Sequence, residues 1–165
     1  MADARAILIE YAAGRCAAIA FADMVEVLQA PTSVPVPLAP AHCDALLGWH
    51  DDWLPIFDLA AWQGAPAQGD AGFCAVVRYR DAAGARRHGA LRCLAFPRIA
   101  EVDDANAAPL PDAVWRGFAR ACFREAGEAV PVLSLAALFG TSPQGGAAQD
   151  ESGGIAGGML EYGLV

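Results

Sequence analysis

Residues 54–64, LPIFDLAAWQG, return at residues 130–140 as VPVLSLAALFG, in register and without a gap. In each copy an apolar run with a proline leads to a short polar residue, then two alanines and a final glycine. This order predicts a strand, a helix N-cap, one short helix and a left-handed glycine stop. The predicted caps and stops are Asp58, Ser134, Gly64 and Gly140. The repeat predicts two similar halves that pack together, with the function in their surfaces and in the groove between them.

The composition favours two small subdomains that share an interface. The chain has 165 residues, of which 56% are hydrophobic and 18% charged, so it can fill a sizeable core. Its apolar stretches are too short and too broken by glycine, proline and charge to span a bilayer. The first fifteen residues, MADARAILIEYAAGR, lack the pattern of a signal peptide, so we expect a cytoplasmic protein.

The charges argue against several functions. A net charge of −8 disfavours nucleic acid as a partner. All eleven basic residues are arginine, which excludes a Schiff-base lysine and a P-loop lysine. Between residues 73 and 100 a single acid, Asp81, faces an arginine cluster made of Arg78, Arg80, Arg86, Arg87, Arg92 and Arg98. This cluster has two interpretations, a charge that orients a protein partner and a solvated outer face of a sheet.

The cysteines predict buried thiols. They are odd in number, scattered, and without a CxxC pair, so a disulfide framework is not expected. The five are Cys16, Cys43, Cys74, Cys93 and Cys122.

Most of the chain reads as antiparallel sheet. Residues 6–28 predict a hairpin that turns at Ala13 and Gly14 and continues as extended chain. Residues 73–80 and 86–95 predict a second hairpin. Between them a connector with four prolines is expected to be extended, because proline disfavours helix in the residue before it. These prolines are Pro31, Pro35, Pro37 and Pro40.

Three segments are less regular. Residues 41–47 predict a short helix or turn, and residues 48–52 a tight polar loop. Residues 112–124 carry a helical apolar stripe, yet their place before the second repeat copy favours a strand over residues 118–123. Residues 141–165 are glycine-rich and predict a flexible tail. The last residues of this tail are apolar enough to dock onto another surface.

The order of these landmarks resembles the CheW-like domain of bacterial chemosensory systems. The resemblance covers residues 6–140, so it divides the chain into a CheW-like domain at residues 1–140 and a tail at 141–165. The segments that carry it are VEVL at 25–28, the proline connector, LPIFDL at 54–59, the hairpin at 75–89, LAFPRIAEV at 94–102 and the strand and helix at 130–138.

The resemblance implies an all-β fold of two intertwined small five-stranded SH3-like barrels with short helical turns. It also implies a non-catalytic adaptor, without a cofactor, that couples chemoreceptor tips to the regulatory domain of a CheA-type histidine kinase. The chain departs from the family in one loop. Members typically carry N-L-R-G there, with an arginine tied to receptor coupling, whereas this chain has Gly48, Trp49, His50 and Asp51. The departure indicates a divergent adaptor, either of the usual pathway or of a pilus or other non-flagellar one.

The same loop predicts the partner-binding site. Tryptophans at the edge of a loop are enriched among residues that dominate binding energy, although Trp49 and Trp53 would equally suit the seam between two barrels. The predicted partner-binding residues are Trp49, His50, Asp51, Asp52 and Trp53. By contrast, Trp62 and Trp115 are expected in the core.

An alternative from another class is a small metal-binding or thiol-dependent enzyme. Six possible ligands lie within eleven residues, but their spacing matches no familiar zinc site. They are His42, Cys43, Asp44, His50, Asp51 and Asp52. Cys43 beside His42 is the one candidate thiol pair, and adjacent residues rarely present both side chains to one substrate atom. No serine or threonine lies in a nucleophile elbow, so a serine hydrolase is not expected.

Overall fold

Two sheets, two short α-helices and four single-turn 3-10 helices form the computed structural model, which describes residues 4–66 and 72–140. The first, sheet A, contains β1 (Ala4–Ala12), β2 (Arg15–Ala20), β9 (Arg98–Val102), β10 (Ala119–Glu125) and β11 (Glu128–Leu133). The second, sheet B, contains β3 (Met24–Gln29), β4 (Ser33–Pro35), β5 (Ala45–Trp49), β6 (Asp52–Phe57), β7 (Phe73–Arg80) and β8 (Arg86–Cys93). The helices are α1 (Leu59–Trp62) and α2 (Leu135–Gly140).

The two sheets share the chain in an interleaved way. Sheet A has the order β10-β11-β2-β1-β9, so it is built from both ends of the described chain, while sheet B, with the order β3-β7-β8-β6-β5-β4, comes from the middle. All neighbouring strands are antiparallel except two pairs, β2 with β11 and β6 with β8. The predicted all-β architecture of two interleaved β-subdomains with short helical turns is confirmed.

Sheet B has six strands where five were predicted. The additional strand, β4, is three residues of the proline connector that pair with β5 from Ser33 opposite Leu47 to Pro35 opposite Ala45. An edge strand can accommodate proline because one of its sides needs no hydrogen-bond donor. The connector is therefore extended, as predicted, and part of it also joins the sheet.

The two repeat copies fold into equivalent units. In the first, the amide of Asp58 donates to His42 O at 2.8 Å and that of Trp62 to Asp58 O at 3.0 Å. In the second, the amide of Ser134 donates to Phe118 O at 2.7 Å and that of Leu138 to Ser134 O at 3.0 Å. Each copy is thus the last strand of a hairpin followed by a short helix.

The caps of the two copies differ. The Asp58 carboxylate accepts from the amide of Ala61 at 3.0 Å, and its second oxygen lies 3.4 Å from the Arg92 guanidinium, both side chains being largely buried. Gly64 has a φ of +84°, in the left-handed region. Gly140 was expected to end α2 in a left-handed conformation, and this prediction was wrong. The helix α2 has six residues, whereas α1 has four, so Gly140 lies within the last turn of α2. The hydroxyl cap of Ser134 stays a prediction.

One core joins both sheets and both helices. Ile9 and Ile19 of sheet A and Val77 and Leu91 of sheet B belong to the same buried cluster. The helices contribute Leu59, Ala60, Leu135, Leu138 and Phe139 to it. Burying apolar surface from both halves is the main term that holds them together. As predicted, Trp115 lies in this core, 1% exposed, and Trp62 packs against it.

Several local predictions need adjustment. Only Ala41–Cys43 is helical within residues 41–47, and β5 already begins at Ala45. The predicted loop at 48–52 is a tight hairpin in which Trp49 pairs with Asp52. The ambiguous segment before the second copy is a strand, β10, as predicted. The predicted flexible tail at 141–165 lies outside the described residues.

All five cysteines are thiols, and all but the half-buried Cys16 are buried. Burial raises the pKa of Cys93 to about 12 and also raises the pKa of Cys74 and of Cys16. The expectation of buried thiols is therefore confirmed for four of the five cysteines. Among the described residues, no helix has the length and apolar character needed to cross a bilayer.

Candidate partner-binding site

The five predicted partner-binding residues lie together on one hairpin of sheet B. β5 and β6 are joined by a two-residue turn, His50 and Asp51, between the paired residues Trp49 and Asp52. His50 has a φ of +51°, a left-handed conformation that costs free energy in a residue with a Cβ atom. The equivalent turn of the other repeat copy has Ala126 at +49° in the same place. Both turns thus have a left-handed residue at their first position, but only the second turn has one at the next position as well, Gly127 at +86°. The first turn exposes a histidine and an aspartate.

Trp49 and Trp53 have different environments. The Trp49 Nε1 donates to Glu26 Oε2 at 2.9 Å, and its ring lies 5.0 Å from that of His88 and 4.5 Å from that of His50. Trp49 is half-buried and packs against the core inside sheet B. Its ring therefore belongs partly to the packing of sheet B, and its role in partner binding stays a prediction.

Trp53 lies on the outer surface. It pairs with Gly48 across the hairpin, and a Cβ atom on that glycine would be 3.4 Å from the indole ring. The indole is 55% exposed. Asp52 supports the backbone at this point, since its Oδ1 accepts from the amide of Trp53 at 2.8 Å. Trp53 is thus an exposed aromatic residue held on a rigid hairpin, which is the arrangement typical of an interface hot spot.

Beside Trp53 the sheet opens into a groove, here called groove B. The parallel pairing of β6 with β8 covers only two residue pairs, Ile56 with Ala90 and Phe57 with Leu91. One residue earlier in each strand, the same register would place Pro55 opposite Gly89, but the pairing does not continue there and the strands diverge. Pro55 has no N–H with which to continue the ladder.

Groove B has a volume of about 670 Å³. Its two strand walls are residues 52–55 of β6 and 86–88 of β8, and residues 36–40 of the proline connector form a third wall. In that third wall Leu38 is fully exposed, at 106%. Its φ of +64° holds this loop in a left-handed turn. Trp53 and Leu38 give the groove an apolar rim, while Arg86, Arg87 and Asp52 make it charged.

A second groove, groove A, occupies the equivalent place in sheet A. There β11 pairs in parallel with β2 at one residue pair, Val132 with Ala18, again just after a proline, Pro131. Groove A has a volume of about 310 Å³ and lies between residues 128–131 of β11 and residues 14–16, which form the turn before β2 and its start. The buried ring of Trp115 is part of its lining. The repeat thus produces one groove in each half, and the one in sheet B is larger and more apolar.

The arginine cluster is divided among several contacts. Arg87 pairs with Asp81 at 2.9 Å and this hydrogen bond lowers the pKa of Asp81, while Arg98 pairs with Glu125 at 3.2 Å. Arg78 donates to Ala22 O and Arg80 to Gly84 O, each at 2.9 Å. Arg92 is turned inwards to Asp58. The cluster is therefore not one continuous basic face, and only Arg86 and Arg87 belong to groove B.

The geometry gives no support to the metal or thiol alternative. Within residues 4–66 and 72–140, no three histidine, cysteine or acidic side chains lie close enough together to hold a metal ion. The His42 ring packs 5.2 Å from that of Phe57, and Cys43 beside it is 7% exposed. His50 lies in the turn between β5 and β6, where its ring packs against that of Trp49.

The sequence predicted the hairpin but not the groove beside it. Residues 36–40 and 86–88, which form two of its walls, are far from Trp53 along the chain. The one signal was Leu38, a large apolar residue among closely spaced prolines. From the sequence alone, Leu38 was interpreted as part of the extended connector.

The CheW-like domain family matches residues 6–145. Among solved structures, the scaffolding protein TtCheW from Thermoanaerobacter tengcongensis superposes with a TM-score of 0.67 at 14% identity, over 84% of this chain and 93% of that one. At this identity the likeness shows the fold alone. No curated protein gives a significant match to the sequence. Because the family match covers most of the chain, this protein belongs to the CheW-like domain family.

Proposed function

We propose that this protein is a non-catalytic adaptor that couples chemoreceptors to a CheA-type histidine kinase in the cytoplasm. Membership of the CheW-like family supports the general role of a chemotaxis scaffold. The observation that supports a partner-binding role for this hairpin is Trp53. Its exposed indole packs against Gly48 and forms part of the rim of groove B. Residues 1–140 carry this function as one domain.

The turn distinguishes this adaptor from members with an arginine there. His50 is exposed and is followed by two exposed carboxylates, Asp51 and Asp52. A receptor surface complementary to this turn carries positive charge, whereas one that suits an arginine carries negative charge. This reversal is the observation behind the second candidate function, an adaptor with an altered receptor partner in a pilus or other non-flagellar chemosensory pathway.

The first experiment is calorimetric titration with the regulatory domain of a CheA-type kinase from the same source. We expect Trp53→Ala to weaken binding about 30-fold, the effect of a hot spot worth about 2 kcal/mol. Phe96→Ala is the matched control, because Phe96 is a similarly exposed aromatic residue, at 66%, in the connection after β8. Equal affinities for wild type and Trp53→Ala would remove this hairpin from the kinase interface, and no binding to any such kinase would refute the coupling role.

The second experiment concerns the receptor. The wild type and His50→Arg are titrated with a chemoreceptor cytoplasmic tip, in low and high salt. We expect His50→Arg to raise affinity for a tip of the usual acidic type and to lower it for the native receptor of this chain. The same sign of change for both tips would exclude His50 from receptor choice.

A further inference from the structure

Groove B has the dimensions and chemistry of a binding site for an extended peptide. It is a cleft of about 670 Å³ between two strands that have separated, so each strand turns a backbone edge towards it. Its rim carries Leu38 and Trp53, which are 106% and 55% exposed. Extended peptides bind such places by adding a strand, with alternate side chains in apolar pockets.

The described chain ends beside this groove. Phe139, the residue before the last described one, stacks on Tyr79 with ring centroids 5.1 Å apart and planes at 8°. Tyr79 is itself part of the lining of groove B. On β8, the Phe139 ring covers Gly89, and Arg87, two residues earlier on the same face of the strand, also lines the groove. Whatever follows residue 140 therefore starts next to groove B.

The sequence beyond residue 140 contains a segment that suits the groove. Residues 159–165 read MLEYGLV, with Leu160, Tyr162 and Leu164 at alternate positions, the spacing of one face of a strand. Glu161 falls on the opposite face. Residues 141–165 contain three acidic residues and no basic one, while β8 brings Arg86 and Arg87 to the groove. The apolar spacing thus suits the groove, and the net charge of residues 141–165 is opposite to that of the two arginines.

The linker between residue 140 and the segment at 159–165 is long enough for that segment to reach groove B. Residues 141–158 are glycine-rich, and chains of that composition and length have a mean end-to-end distance of about 20–25 Å. A short tether of this kind gives an effective concentration in the millimolar range. A segment with a dissociation constant of about 100 μM would then be bound roughly nine-tenths of the time.

We propose that residues 159–165 bind in groove B of the same chain, with Leu160, Tyr162 and Leu164 towards the groove. The bound segment covers Leu38 and Trp53. If the hairpin binds a partner as proposed above, the segment competes with that partner, so the adaptor controls access to its own interface. The docking itself does not depend on the adaptor function.

The test uses the full chain with a photoreactive benzoylphenylalanine in place of Tyr162. After irradiation at low micromolar concentration, we expect an intramolecular cross-link to residues 36–40 or 52–55, located by mass spectrometry. The same photoreactive residue in place of Ala147 is the control and is expected to give no preferred site. A Tyr162 cross-link elsewhere on the chain, or a pattern like that of position 147, would overturn the proposal, and so would a cross-link between two chains.

A surface variant makes the test specific. Leu38→Asp removes an apolar side chain that is fully exposed, so the fold is expected to be unchanged. It should reduce the Tyr162 cross-link about fivefold or more, because it replaces an apolar contact of the segment by a charge. Phe96→Asp, at the opposite end of β8, should leave the yield unchanged. Equal yields for wild type and Leu38→Asp would refute groove B as the site.

A peptide added in solution gives an independent measurement. A labelled peptide of residues 158–165 is titrated into the wild type and into the full chain with Leu160→Ser and Leu164→Ser. The variant should bind it about tenfold more tightly, because its own segment no longer competes. No binding to the variant would contradict the proposal. Neither readout involves a kinase or receptor, so their failure is distinct from failure of the adaptor function.

Discussion

The ring of Phe139 lies where a Cβ atom on Gly89 would be, with ring atoms 2.4 Å and 2.5 Å from that position. Gly89 is in the middle of β8 in sheet B, while Phe139 is in α2, directly after the last strand of sheet A. This contact thus packs the second repeat unit against the opposite sheet. It requires a residue without a side chain at position 89.

Gly89→Ala is therefore expected to lower the free energy of unfolding by about 1–3 kcal/mol, because the buried ring must move. Urea denaturation measures the change. Gly72→Ala is the control, since a Cβ atom there would meet nothing within 4 Å, and it should have little effect. Combined with Phe139→Leu, the alanine should cost less than it does alone, and strictly additive effects would contradict a direct clash.

Asp58 has two roles that separate substitutions can distinguish. Asp58→Ala removes both the cap of α1 and the buried partner of Arg92, and we expect it to destabilise the protein by about 3 kcal/mol. Asp58→Ser keeps an oxygen for the cap and should be about 1 kcal/mol less damaging. Thermal or urea unfolding gives both values. If the two variants are equally unstable, the cap contributes nothing.

Replacing His50 should raise stability. Its φ of +51° suits glycine, so His50→Gly is expected to stabilise the hairpin by about 1 kcal/mol. Ala126→Gly, in the equivalent turn of sheet A, should do the same without touching the partner-binding hairpin. A destabilised His50→Gly would show that the ring contact with Trp49 outweighs the strain.

Because the thiols are buried, we expect the free energy of unfolding to fall at alkaline pH. Burial raises the pKa of Cys93 from 9.0 to about 12, so its thiol ionises more readily in the unfolded chain. Its contribution is fully present below pH 9 and is lost as the pH rises towards 12. Between pH 8 and pH 10.5 this single thiol should lower the free energy of unfolding by about 2 kcal/mol.

The measurement for Cys93 is urea denaturation at both pH values, for wild type and Cys93→Ala. The variant loses some packing at either pH, but its stability should fall less between them. Part of the decline will remain, because burial also raises the pKa of Cys74 and of Tyr11. Parallel declines in the two proteins would rule out Cys93 as a source.

The sequence predicted the parts of the fold that rest on local pattern. The repeat indicated two strand-and-helix units, and both are present with matching backbone hydrogen bonds at Asp58 and Ser134. The hairpin turn at Gly14 was also predicted, and it depends on residues close together in the chain. The strand β10 was predicted from its place before the second repeat copy, although its local apolar pattern is helical.

Features that depend on distant residues were missed. The parallel pairs β6 with β8 and β2 with β11 join segments far apart in the sequence, and a short apolar strand does not indicate its neighbour. The grooves follow from where those pairs stop, beside Pro55 and Pro131. Both prolines were visible in the repeat, but their effect becomes apparent only once the neighbouring strand is known.

The interleaved path also governs the order in which the protein can fold during synthesis. β2 emerges near the beginning of the chain, yet its parallel neighbour β11, paired at Val132, is among the last strands to be made. Sheet B, by contrast, is complete once Cys93 has appeared. Until β11 arrives, the first hairpin has an open apolar edge that invites wrong pairing. Contacts this distant in sequence fold slowly, so the middle of this protein is expected to form first and its two ends to meet last.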